Sequence, residues 1–200
     1  MDESPMTLTV VGPTATRTSR VLWCCEELGL DYTHQIAMPH SEEVTALNPL
    51  KQVPVLIDGE TVLTDSSAIL YHLSDREQRL TYPAGSQNRA RMDARMMFLI
   101  TDLEAPLWLQ TRHSYVLPKD MRHPEIFPLL AIDFAMANKK FDQLLGKAEY
   151  FGGDTFTIAD IIAAHCLFWA SDFHELSDRA QSYLARMRAR PGWAASQKNR

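Results

Sequence analysis

The sequence predicts an α/β first half, a small open sheet ending near residue 80, followed by an all-helical second half. Three observations predict it. Short β-branched runs alternate with helical periodicity before residue 80. An Asp58-Gly59 pair separates two of those runs. Beyond Gln87 apolar residues recur at helical spacing and no strand pattern returns.

Thr7–Val11 is short, apolar and β-branched, and Gly12-Pro13 stops it. Arg20–Leu28 follows as a helix, with Val21, Leu22, Cys25 and Leu28 on one face and Gly29 ending it. Tyr32–Met38 reads as a second strand and Val53–Ile57 as a third. Asp58-Gly59 then turns the chain into Thr61–Thr64, and Ser66–Arg76 is a helix with Ile69, Leu70 and Leu73 facing inward. The order is β-α-β, a connecting stretch, a hairpin and a helix. That implies a parallel pair with a right-handed crossover and an added antiparallel pair, together a four-stranded mixed sheet.

Residues 1–79 are expected to form this domain, 80–88 a linker containing Pro83 and Gly85, and 89–200 the helical domain. Met92, Met96, Leu99, Ile100, Leu103 and Leu107 share a helical face, with Pro106 as a kink. Ile126, Leu130, Phe134, Ala137, Phe141 and Leu144 define a second helix closed by Gly146. Ile158–Ala170 is apolar on nearly every face and should be the buried central helix. Tyr183–Arg190 is a last short helix, stopped by Pro191-Gly192.

Composition narrows the function classes. The chain has 200 residues, 46% hydrophobic and 22% charged, which is enough apolar material for a packed core. Twenty Lys and Arg against 25 Asp and Glu give a net charge of −5, which argues against a nucleic-acid binder. No apolar run approaches the roughly 18 residues of a membrane span, so no membrane partner is expected. The acidic start has no apolar signal region, and three cysteines, two adjacent, make no disulfide framework. A cytoplasmic location is the expectation. The seven histidines show no metal-ligand spacing, so no metal is predicted.

Three segments carry candidate chemistry, each with a plain structural alternative. Val53-Pro54 places a proline just before a buried strand, where it donates no ladder hydrogen bond. With a cis bond, Val53 would offer its backbone N–H and C=O to an extended ligand, whereas an ordinary trans proline fits the local pattern equally. Asp65-Ser66 opens a helix, where free N–H groups bind a carboxylate and Asp65 accepts from an ammonium; a simple N-cap reads the same way. Thr14 to Arg20 sets hydroxyls at the start of the first helix, suited to an anionic sulfur or oxygen, or to capping alone. Thr157-x-x-Asp160 reads as a capping box, with Phe156 and Ile161 as its hydrophobic staple.

Taken together, Ser19 to Trp23, Glu26 to Leu30, Asn48-Pro49 through Val53-Pro54, Asp65 to Ile69 and Thr157 to Ile161 resemble the glutathione transferases, in a bacterial serine-type or theta-like form. The resemblance runs over essentially the whole chain. It implies a thioredoxin-like N-terminal domain, an all-α C-terminal domain and a homodimer. It implies glutathione as a co-substrate, with no permanently bound cofactor, and a small hydrophobic electrophile as the second substrate. By the same resemblance Val53 pairs with the cysteinyl part of glutathione and cis-Pro54 holds that geometry. Asp65 and Ser66 grip the γ-glutamyl end, and Gln52, with His40 or Lys51, meets the glycyl carboxylate. Thr16 is the nearest match to the thiol-activating hydroxyl, with Arg17 as the next candidate. Serine, tyrosine or cysteine is usual at the first position, and many members have Gly-Lys or Gly-Gln where this chain has Lys51-Gln52. Trp108, Arg112 and His113 on a helix of the second half suit an electrophile pocket, or interdomain packing with a rim charge. A glutathione-dependent reductase and an inactive interaction module on the same fold are the competing functions.

Overall fold

The computed structural model describes residues 8–198. Its sheet contains β1 (Leu8–Val11), β2 (Tyr32–Gln35), β3 (Val55–Asp58) and β4 (Thr61–Thr64) in the order β2-β1-β3-β4. β1 and β2 are parallel, while β1/β3 and β3/β4 are antiparallel, as the element order predicts. Thr7, expected in the first strand, lies outside the described residues. Three helices accompany the sheet: α1 (Thr18–Leu28), α2 (Glu42–Leu47) and α3 (Ser66–Glu77), with α1 packed on α3. Gly29 ends α1 with φ 71°, its N–H donating to Cys25 and Glu26 carbonyls. The connecting stretch contains α2, which the periodicity does not reveal, because Val44 is its one buried residue. Its start is written chemically instead. Ser41 accepts from the Val44 N–H at 3.3 Å, and Glu42 and Glu43 complement the helix dipole.

The helical half runs α4 (Gln87–Phe98), α5 (Glu104–Thr111), α6 (Phe127–Leu145), α7 (Ile158–Ala170) and α8 (Asp178–Arg188). The expected kink at Pro106 falls one turn earlier, as a π-helical turn over Leu99–Leu103. Pro106 cannot donate to the Asp102 carbonyl, and the Glu104 N–H reaches back five residues to Leu99. A second π turn covers Arg112–Val116, so the helix bearing Trp108 is not regular through Arg112. On α6, Leu130, Phe134, Ala137 and Phe141 are buried as expected, but Leu145 completes the stripe while Leu144 is exposed. α7 is buried along almost its whole length.

The capping box is present, and it does more than cap. Asp160 is fully buried and accepts from Phe151 N (2.5 Å), Thr157 N (2.9 Å), Thr157 Oγ1 (3.1 Å), Gly152 N (3.4 Å) and Tyr183 Oη (2.8 Å). One carboxylate thus joins the loop before α7, α7 itself and α8. Burial pushes its pKa up, against the pull of those donors.

At the other end of α7, His174 stacks on Phe134 with ring centroids 4.7 Å apart, and its buried Nε2 has no hydrogen-bond partner. Burial lowers its pKa. The unfolded chain therefore takes up this proton at higher pH than the folded one. Stability associated with the group is intact above about pH 6.5 and falls as pH drops through that value. His174→Phe should flatten the stability profile between neutral and mildly acidic pH in urea titrations, with no loss of stability at neutral pH. An unchanged slope would remove His174 as the source.

The chain does not divide where the sequence suggests. One compact unit is drawn from Met1–Pro83 together with Ala189–Arg200, and the other is Ala84–Arg188. Pro191 does not simply stop a helix; it starts α9 (Pro191–Ser196), at the position where its missing N–H costs nothing. α9 packs on α1. Trp193 meets Trp23 edge-on at 5.0 Å, and Arg190 grips Glu27 through two nitrogens at 2.7 and 2.8 Å. Trp23 Nε1 donates to the same Glu27 at 2.9 Å. A residue range of 89–200 for the second domain therefore becomes 84–188, with the last helix returned to the first. No helix among the described residues is long and apolar enough to cross a membrane.

Candidate functional site

The strand register collects the candidate residues of the first unit at one end of its sheet. Val11 of β1 lies opposite Val55 of β3, which lies opposite Thr64 of β4. Just beyond these three come the Gly12–Arg17 loop, the Val53-Pro54 peptide and Asp65-Ser66. Gly12 lets two of them meet. A Cβ added there would lie 2.3 Å from Thr18 Oγ1 and 2.8 Å from Val53 Cβ, and its φ is 133°. Gly12 therefore lies against both the start of α1 and the Val53 side chain.

The Val53–Pro54 bond is cis. Val53 is half-buried and precedes the paired part of β3. The loop before it is held by Asn48, which is buried. Its Nδ2 donates to the Gln52 carbonyl at 2.9 Å, and its Oδ1 accepts from the Leu50 N–H at 3.0 Å. His40 and Lys51 both take positive φ, 67° and 59°, and the His40 N–H donates to the Lys51 carbonyl at 3.0 Å. His40, Lys51 and Gln52 are thus brought into one exposed loop pair. Lys51 adopts a conformation that costs an L residue about 1–2 kcal/mol and costs glycine nothing, which fits the glycine usual at that position.

Asp65 caps α3 at φ 68° and ψ 122°, an uncommon backbone for a residue with a Cβ. Its Oδ1 accepts from Ser67 N at 2.8 Å and Ala68 N at 3.2 Å. Its Oδ2 has no hydrogen bond to another described residue, so capping engages only one of the two carboxylate oxygens. Ser66 is buried, and its Oγ accepts from Arg20 Nη1 at 3.2 Å. That bond uses a lone pair of the Ser66 oxygen and not its hydroxyl hydrogen. Arg20 is 1% exposed in the first turn of α1. Its partner Ser66 is 46 positions away, so nothing local in the sequence marks the role of Arg20.

Thr16 lies at the start of α1, as expected, but its hydroxyl is engaged. Oγ1 donates to the Pro13 carbonyl at 2.7 Å, accepts from Thr18 N at 3.2 Å and lies 2.9 Å from Thr18 Oγ1. A hydroxyl has one hydrogen, so donation to a thiolate requires it to turn away from Pro13. Arg17, half-buried, is the formal N-cap and makes no side-chain capping bond. Cys24 and Cys25 are fully buried in α1. Burial raises both thiols, Cys25 to about 12, which keeps them protonated and inert at neutral pH.

In the helical unit, Trp108 of α5 and Arg112 and His113 of the second π turn are all half-buried. His113 Nδ1 accepts from the His123 N–H at 3.0 Å. No group of three or more His, Cys, Asp or Glu among the described residues could hold a metal ion.

Residues 16–76 match the family model "Glutathione S-transferase, N-terminal domain", and residues 116–191 match "Glutathione S-transferase, C-terminal domain". Among curated proteins, glutathione S-transferase 2 of Anopheles gambiae is 31% identical over 145 residues, covering 68% of this chain and 64% of that protein. Human glutathione S-transferase theta-1 is 30% identical over 130 residues, covering 62% of this chain and 54% of its own length. The matched stretches thus span just over half to just under two thirds of these relatives. A theta class glutathione S-transferase from Xanthomonas axonopodis pv. citri, solved with glutathione bound, is 25% identical with a TM-score of 0.80 and 96% of both chains covered. The Xylella fastidiosa glutathione-S-transferase, at 22% identity and a TM-score of 0.83 over 96% of this chain and 97% of that one, shares the fold. With both domain models matched in order on this fold, the chain belongs to the glutathione transferase family.

Proposed function

We propose that this protein binds glutathione at the end of the sheet and activates its thiol to attack a small apolar electrophile. The observation that carries the reading is the register that sets the cis Val53–Pro54 peptide, Asp65-Ser66 and the start of α1 side by side. The bound glutathione in the Xanthomonas relative supports the choice of ligand. In this reading the Val53 backbone pairs with the cysteinyl unit as an added strand. Asp65 Oδ2 takes the γ-glutamyl ammonium, and the Ser66 hydroxyl at the head of α3 takes its carboxylate. Gln52, Lys51 and His40 meet the glycyl carboxylate. Trp108, Arg112 and His113 would serve the electrophile, in a homodimer working in the cytoplasm.

Asp65→Ala and Ser66→Ala should each weaken glutathione binding by about tenfold, the size of one charge-assisted hydrogen bond. Turnover at saturating glutathione should stay unchanged, because these groups are remote from the sulfur. Calorimetry and initial rates separate the two quantities. A fall in saturated turnover at unchanged affinity would contradict the assignment.

Activation is the more demanding step. Lowering a thiol pKa from about 8.5 to about 6.5 takes roughly 2.7 kcal/mol of preference for the thiolate. A hydroxyl donor and a helix N-terminus together are devices of that size. Thr16→Val should cut turnover by about tenfold or more and return the thiol pKa, read from thiolate absorbance, towards its free value. Thr16→Ser should keep both. The bond from Thr16 to the Pro13 carbonyl favours a second reading, in which glutathione is bound without activation. In that case the wild type retains glutathione resin binding, shows no shifted thiol pKa and conjugates nothing. If activity is present and Thr16→Val changes neither rate nor pKa, Arg17 carries the activation.

A further inference from the structure

A groove of about 350 Å³ lies wholly within the helical unit, between the end of α6 and one face of α8. Lys147, Glu149, Arg179, Ser182 and Arg186 contribute its polar side chains, three cations against one carboxylate, on a chain of net charge −5. Arg179, Ser182 and Arg186 recur three and four residues apart, so α8 presents them along one face.

The end of a helix ordinarily repels anions through its free carbonyls. Here Arg179 offsets part of that repulsion. Its Nη1 donates to the Asp142 carbonyl at 3.2 Å and the Gly146 carbonyl at 2.5 Å. Arg186 Nη2 donates to the Glu149 carbonyl at 3.2 Å, and its guanidinium lies over the Tyr183 ring at 5.7 Å. Each guanidinium is therefore anchored at one corner and keeps further N–H groups for a ligand. Lys147 and the Ser182 hydroxyl have no hydrogen bond or ion pair to another described residue. Anchored guanidinium groups, a loose ammonium and a hydroxyl around one concavity suit a multiply charged anion with several acceptor oxygens.

We propose that this groove is an anion site for a phosphate-bearing small molecule, separate from the glutathione site. A monocarboxylate offers one charge and two oxygens, and would leave most of these donors unused. A phosphoryl group offers about two charges and three acceptor oxygens.

The test follows backbone amides of residues 145–149 and 179–186 by NMR at fixed ionic strength, with inorganic phosphate, pyrophosphate and glycerol phosphate as probes. Saturable shifts confined to these segments are expected, larger and at lower concentration for pyrophosphate than for phosphate. Lys147→Gln, which touches no anchoring bond, should weaken the interaction about threefold to fivefold, the value of one exposed charge pair. Lys139→Gln, an exposed cation of α6 outside the groove, should leave it unchanged. Tighter binding of glycerol phosphate than of phosphate identifies an esterified ligand, and the reverse order a free anion. Shifts that grow without saturating, or that Lys147→Gln and Lys139→Gln reduce equally, would overturn the proposal.

Discussion

Asp160→Ala should destabilise the helical unit by about 3–5 kcal/mol. The carboxylate is buried and takes hydrogen bonds from three backbone N–H groups, a threonine hydroxyl and a tyrosine hydroxyl. Deleting it strands those donors where water does not reach, and each buried unsatisfied group costs about 1–3 kcal/mol. The Tyr183 hydroxyl suffers with it, in a cluster where Phe141 stacks on Phe151 and meets Tyr183 edge-on. For a chain of this size the loss corresponds to a melting point lower by roughly 10 °C. Asp160→Asn should be nearly as harmful, because its amide N–H₂ must face one set of donors. Thermal and urea unfolding measure both. A loss below 1 kcal/mol in either variant would mean that the donors find other acceptors.

Gly12→Ala should damage the glutathione site and the first unit together. The new methyl would press on Thr18 Oγ1 and Val53 Cβ, and the Thr18 side chain is fully buried. The backbone at φ 133° adds strain of its own for any L side chain. Overpacking with strain costs about 2–4 kcal/mol. Relief requires the α1 start and the Val53 loop to separate, so glutathione affinity should fall by more than tenfold. Gly29→Ala is the control. Its φ of 71° is also positive, but an added Cβ meets nothing within 4 Å. That variant should lose about 1 kcal/mol of stability and no affinity. Equal behaviour of the two variants would show that backbone conformation, rather than the contact with Val53, governs the Gly12 position.

The elements legible in the sequence were those with a strong period or a strong stop. The four strands, the Asp58-Gly59 turn and α7 follow from alternation, turn chemistry and an unbroken apolar run. α2 was hidden because a six-residue helix with one buried side chain has no period to detect. Pro106 announced a break but not its form, since the lost hydrogen bond is absorbed in the turn before the proline. Leu145 displaced Leu144 because a residue next to the end of a helix can be reached by either of two adjacent positions on its stripe. At the site, Asp65-Ser66 and Val53-Pro54 are visible as local motifs. Arg20 acts across the fold, on Ser66 46 positions away, and such a partnership leaves no local trace, whereas Asn48 holds the Gln52 carbonyl within its own loop. Thr16 was identifiable as a hydroxyl at a helix start, while its donation to Pro13 is a matter of rotamer.

The return of α9 to α1 sets an order on biosynthesis. Glu27 and Arg190 are 163 positions apart, so the ribosome must make all of the helical unit between them before that pair can close. Domains emerging from the ribosome generally fold as they appear. Here the unit begun first is the one completed last, after all of Ala84–Arg188 has been translated. Until then α1 carries Glu27 without its arginine and Trp23 without its indole partner.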